Sequence, residues 1–321
     1  MSLLSRRSFL QQSAIAALAA AASPSAFAAE APSLIVDTHQ HLWDLDNLKL
    51  PWLAGAPEIL RHTYGPTEYA VATKGLRMRA IYMEVDVDAT MHDREADYVI
   101  GLCKSGKVPT EAAVLGGRPA SPDFGAYLDR HREGGYLKGV RQVLHGGETP
   151  RGTCLKDEFV AGVRLLGKKG LKFDLCLRPT ELADGLKLTE LCPDTQFVLD
   201  HCGNADVVAF SGGKGSHEPD QWKKDIDALS KRPNLICKIS GIVARAPEGW
   251  KPADLAPIVN HCLDAFGPDR VVFGGDWPVC LLGSPLQGWV SALAEIIAKR
   301  PQAEREKLWS GNAIRHYGLK A

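Results

Sequence analysis

The chain has 321 residues, with 38 Lys and Arg against 38 Asp and Glu, a formal net charge of zero, and no long run of either sign. That balance argues against nucleic acid or an anionic membrane surface as a partner and leaves a small molecule as the expected substrate. Eight cysteines contain no C-x-x-C pair, which argues against a zinc ribbon or disulfide scaffold and for buried thiols acting as small hydrophobes.

Residues 1–28 read as an export signal. Arg6 and Arg7 stand in Ser-Arg-Arg-Ser-Phe-Leu, an apolar run follows at 14–22, and Ala26-Phe27-Ala28 is a small-residue cleavage pattern. The order is that of a twin-arginine signal, with a buried N-terminal helix as the competing reading. It predicts the twin-arginine export machinery as a partner and a periplasmic or secreted mature domain. The apolar run is too short to span a bilayer. Residues 29–321 form one expected domain, of the size a single α/β barrel needs.

From there, short apolar runs recur at 34–36, 80–85, 112–115, 137–143, 173–177, 197–199, 235–239 and 271–273. Between them lie stretches with helical spacing, at 93–105, 124–133, 157–169, 181–191, 221–230 and 253–266. Eight buried strands alternating with helices predict a parallel sheet closed into a (β/α)8 barrel, with a doubly wound sheet as the competitor. The polar residues that end nearly every strand favour the barrel, whose chemistry sits at the C-terminal ends of its strands. Two segments break the rhythm, 44–69 and 204–220, and loops of that length read as lids or substrate walls.

Chemistry-bearing residues cluster at those strand ends. His39 and His41 stand two apart after the first run, so alternation predicts both imidazoles on one side, able to reach one divalent ion. A pair of hydrogen-bonded core histidines is the alternative. Asp276 follows the last run and a Gly-Gly pair, where a carboxylate can bind metal or take a proton from water, unless it only caps the turn before Trp277-Pro278. His201 ends the sixth strand as a ligand, electrophile or proton shuttle, with Asp200 placed to orient it or a neighbour. Arg141 and Arg178, at the ends of strands four and five, can each clamp a substrate carboxylate. Glu84 and Trp43 complete the candidate substrate-binding residues, although Glu84, like Lys238, can equally be half of a structural ion pair.

The motifs D-T-H-Q-H-L-W (37–43), D-H-C-G (200–203), K-I-S-G (238–241) and G-G-D-W-P-V (274–279), in this order and spacing, resemble the amidohydrolase-2 group. The terminal N-A-I-R-H-Y-G-L (312–319) is similar to that family's closing helix. The resemblance spans nearly the whole mature chain and points to the lactonase-like branch of these TIM-barrel hydrolases. It implies His39 and His41 at the metal or carbonyl site, Asp276 as general base, His201 beside them and Arg141 on the substrate. The histidine that many members carry after strand five has no counterpart in 173–180, and Arg141 stands where two-metal members have a bridging lysine. That pattern argues against a binuclear site and leaves one divalent ion, Zn²⁺ in the first place, or none. The expected activity is hydrolysis of a sugar-derived or dicarboxylate lactone. A metal-dependent decarboxylase of an aromatic or unsaturated acid and a periplasmic sugar-acid binding protein without turnover are the alternatives. The sequence is compatible with a homo-oligomer.

Overall fold

The computed structural model describes residues 32–147 and 149–320; the segment 1–28, expected as an export signal, and its expected cleavage pattern lie outside them. Eight strands pair in parallel and in chain order: β1 (Ile35–Gln40), β2 (Met78–Met83), β3 (Thr110–Gly116), β4 (Leu137–Arg141), β5 (Lys172–Leu175), β6 (Gln196–Leu199), β7 (Leu235–Ile239) and β8 (Val271–Phe273). β8 meets β1 through a parallel bridge between Gln40 and Trp277. His41 N donates to Trp277 O at 2.8 Å and Asp276 N to His39 O at 2.9 Å, so the expected (β/α)8 barrel is what forms.

The connecting helices show why the alternation was legible. Asp157–Lys168 opens on Asp157 and Glu158, closes on Lys168, and buries Phe159, Val160, Val163 and Leu166 along one stripe. Pro252–Phe266 starts with proline in its first turn, where the missing N–H costs nothing. Two helices that the periodicity does not announce, Pro66–Ala72 and Leu286–Ile296, complete the ring. The segment 44–69 is an ordered insertion with short 3-10 turns at Pro51–Gly55 and Glu58–Leu60, tied back by a bridge between Trp43 and Tyr64. The segment 204–220 contains the short helix Val207–Phe210.

Strand ends differ from the sequence reading in detail. β2 stops at Met83, so Glu84 stands just beyond it, and β4 stops at Arg141. The interior of the barrel is layered. Val36, Ile81, Met83, Ala112, Val114, Val198, Ile236 and Val272 form one buried apolar cluster, closed by Ala313 and Tyr317 of the terminal helix Asn312–Tyr317. Two residues further along, the same strand faces carry Asp200, Lys238 and Gly274, because side chains alternate with a period of two. All eight cysteines are free and buried. No helix among the described residues is long and apolar enough to cross a membrane.

Candidate active site

A cavity of about 290 Å³ opens at the C-terminal ends of the strands, with His41, Trp43, Arg141, His201 and Asp276 in its lining. His39, in β1, is buried beneath the cavity, and His41, one residue past the strand, lines it. The pairing of β1 with β2 slips between Asp37 and Gln40, an irregularity that re-aims side chains. Their ring centroids end 4.8 Å apart at 80°.

Asp37 fixes this arrangement. Its Oδ1 accepts from His39 N at 2.9 Å and from Gly275 N at 2.7 Å, and its Oδ2 accepts from Tyr69 Oη at 2.9 Å. A Cβ at position 275 would lie 2.5 Å from Asp37 Oδ2, so glycine is required where β8 hands over to Asp276. Asp276 itself has φ +54°. Its side chain turns to the histidines, with Oδ1 3.4 Å from His41 Nε2 and 3.7 Å from His39 Nε2.

His201 sits in a left-handed turn in which His201, Cys202 and Asn204 all have positive φ. Its Nδ1 is 2.9 Å from Ser240 Oγ. A Cβ at Gly241 would lie 2.2 Å from that nitrogen, which explains the Ser-Gly that ends K-I-S-G. Among the described residues the non-glycine positions with positive φ are Asp86, His201, Cys202, Asn204 and Asp276, and all but Cys202 line the cavity. Such conformations cost about 1–3 kcal/mol each and persist where the surroundings over-determine them.

Beneath the cavity lies a charged layer. Lys238 Nζ is 2.8 Å from Asp174 Oδ2 and 2.9 Å from Asp200 Oδ1, and 3.2 Å from His39 Nδ1. Arg141 Nε donates to Glu84 Oε1 at 2.6 Å and its Nη2 to Glu84 O at 2.8 Å, while Nη1 reaches His39 Nε2 at 3.2 Å. Asp200 Oδ2 lies 3.5 Å from the same Nη1. All of these groups are almost wholly buried, so each charge is held by its partners.

The environment sets the protonation states. Burial and the charge of Lys238 hold His39 well below its ordinary value, and burial also lowers His201; both are neutral imidazoles. Burial works to raise Asp276, but its surroundings, the charge of Arg141 among them, outweigh it and keep the carboxyl below its usual range. Burial likewise opposes ionisation of Asp200, and the charge of Lys238 overcomes it.

Trp43 lines the cavity as expected, and Glu84 acts beneath it by holding Arg141. Arg178 is elsewhere. It is not in the lining, and its guanidinium donates to Glu181 Oε2 at 2.6 Å and to the carbonyls of Thr149 and Gly146, so it braces two loops rather than gripping a ligand. Sequence reasoning passed over Asp37 and Asp174, although a lone acid inside an apolar strand run was a usable signal for both. It also passed over Asp86, His145, Asn204 and Arg245, which line the cavity from loops where one sequence carries no such signal.

The residues present can hold a divalent ion. His39, His201 and Asp276 bring ligand atoms within 4.8 Å of one another. His41 Nδ1 faces Met83 O at 3.0 Å, which places its proton there and turns Nε2 to Asp276; two electron-rich atoms 3.4 Å apart want a proton or a cation between them. Neutral imidazoles with the outer nitrogen tied, together with a carboxylate, are the donor set such ions use. A second group, Cys176, Asp200 and His201, is equally compact, but its Asp200 is already taken by Lys238.

The chain is also similar to known proteins. The family model described as Amidohydrolase matches residues 36–319. An L-fucono-1,5-lactonase from Burkholderia multivorans is 28% identical over 295 residues, covering 89% of this chain and 97% of that protein. An amidohydrolase from the same species, solved with bound Zn, has a TM-score of 0.78 at 26% identity, covering 90% of this chain and 100% of the other. Amidohydrolase 2 from Bifidobacterium longum subsp. infantis has a TM-score of 0.66 at 29% identity, covering 89% and 99%.

Proposed function

The chain belongs to the amidohydrolase family, and from that premise we propose that this hydrolase opens a lactone ring by attack of water. The observation that carries the reading is the pairing, in one cavity, of an ionised carboxylate, Asp276, with a buried guanidinium, Arg141. The similarity to lactonases from other organisms supports it.

Asp276 takes a proton from water as the oxygen attacks the lactone carbonyl. Negative charge grows on the carbonyl oxygen, and Arg141, locked by Glu84 and Asp200, is a fixed donor for it that needs no reorganisation. The ring C–O bond then breaks, and the leaving oxygen collects the proton that Asp276 had taken, with neutral His201 beside it to pass the proton across. Trp43 and the insertion that follows it wall the cavity against bulk water. A divalent ion such as Zn²⁺, held by His39, His201 and Asp276 with His41 alongside, supplies Lewis-acid polarisation of the carbonyl when bound.

The test is Asp276→Asn against a panel of aldonolactones and aldarolactones. Loss of at least ~100-fold in kcat is expected from removing a general base. Full lactone hydrolysis by the variant ends the proposal.

A further inference from the structure

The ends of β4, β6 and β7 make one side of the cavity, contributing Arg141, His145, His201, Asn204 and Arg245 to the lining, whereas the acids of the lining, Asp86 and Asp276, follow β2 and β8. Cations elsewhere around the mouth are matched: Arg141 with Glu84, Arg178 with Glu181, and Arg118 with Asp86 at 3.5 Å. Arg245 is different. Its hydrogen bond is to a neutral group, Asn204 Oδ1 at 3.0 Å, and it makes no ion pair among the described residues. Nor is it loosely placed. Asn204 is buried, and its Nδ2 donates to Leu177 O at 2.7 Å, which fixes its oxygen toward Arg245. His145 stands in the same wall, kept neutral down to about 4 by burial and by the charges of Arg245 and Arg141. A guanidinium aimed along a cavity wall that holds no acid among the described residues is the complement of a carboxylate, which it binds through two parallel hydrogen bonds.

We infer that the substrate is a lactone carrying a free carboxylate, read by Arg245 with Asn204 and His145 as neutral partners. The inference rests on the lactonase reading above and adds the substrate class to it. A neutral sugar lactone would present only hydroxyl groups to this wall.

The experiment compares aldarolactones with aldonolactones of matched ring and stereochemistry, beginning with D-glucaro-1,4-lactone and D-glucono-1,4-lactone, which differ in carboxylate against hydroxymethyl at one carbon. The wild-type enzyme is expected to prefer the acidic member of a pair by at least ~10-fold in kcat/KM. Arg245→Gln should raise KM for the acidic lactone about 10- to 100-fold, the range for a charge-assisted hydrogen bond, and collapse the preference. Arg245→Lys, which keeps the charge but loses the fork, should retain part of it. Equal turnover of acidic and neutral lactones, with Arg245→Gln shifting neither KM, overturns this inference and leaves the lactonase reading standing. Failure to open any lactone of the panel overturns both.

Discussion

The two halves of the barrel interior are built on opposite principles. Toward the terminal helix the strands offer Val36, Val198, Ile236 and Val272, an apolar plug. Two residues further on, the same strands offer Asp200 and Lys238, joined by Asp174, Arg141 and Glu84. The plug is held by contacts that many side chains of similar volume can make. The charged layer is held by specific partners, since each ion inside it would be costly alone. The part of the molecule that tolerates change thus lies one residue pair away from the part that does not.

Substitution in each layer tests that contrast. Lys238→Met leaves Asp174 and Asp200 facing each other, and breaking a buried pair by removing one partner costs about 3–5 kcal/mol. Denaturant unfolding should show that loss, and adding Asp174→Asn should recover part of it. A variant as stable as the parent would mean the layer is not held by its charges. The plug should respond more weakly. Ile236→Val is expected to lower stability by about 0.5–1.5 kcal/mol with kcat within a factor of two or so, measured on whichever lactone the enzyme turns over.

A pH experiment separates the layers again, with a smaller effect. Glu95 is buried below Arg141's partner Glu84, and burial and the charge of Glu84 push its carboxyl up to about 8. In the unfolded chain it would ionise near 4.5. The folded state therefore holds the extra proton between those values, so the stabilisation from Glu95 is complete below 4.5 and is lost as pH rises toward 8. Glu95→Gln, which cannot ionise, should flatten the melting temperature against pH over that window; an unchanged slope would show that Glu95 ionises normally.

Much of this was readable beforehand. Eight apolar runs separated by helical spacing specify a barrel because each strand is buried on both faces, and because strand ends have a fixed place in that architecture, the sequence also brings His39, His41, His201, Arg141 and Asp276 to one end of it, where the structure has them side by side. The rest was hidden for physical reasons. Arg178 and Arg141 follow adjacent strands and look alike in sequence, but Glu181 three residues on gives Arg178 a local partner, whereas Glu84 reaches Arg141 from 57 residues away. The role of Asp37 depends on Gly275, 238 residues distant. Arg245 closes a short 3-10 turn after β7, and the absence of an acid beside it among the described residues is a property of space and not of order along the chain.

The seam between β1 and β8 has a consequence for the timing of activity. Thr38 Oγ1 donates to Phe273 O across 235 residues, and Asp276, just past the last strand, is brought against the histidines at the end of the first. A chain that stops before β8 lacks both Asp276 and the segment that closes β1 into the barrel, so the cavity is complete only once the last strand is in place.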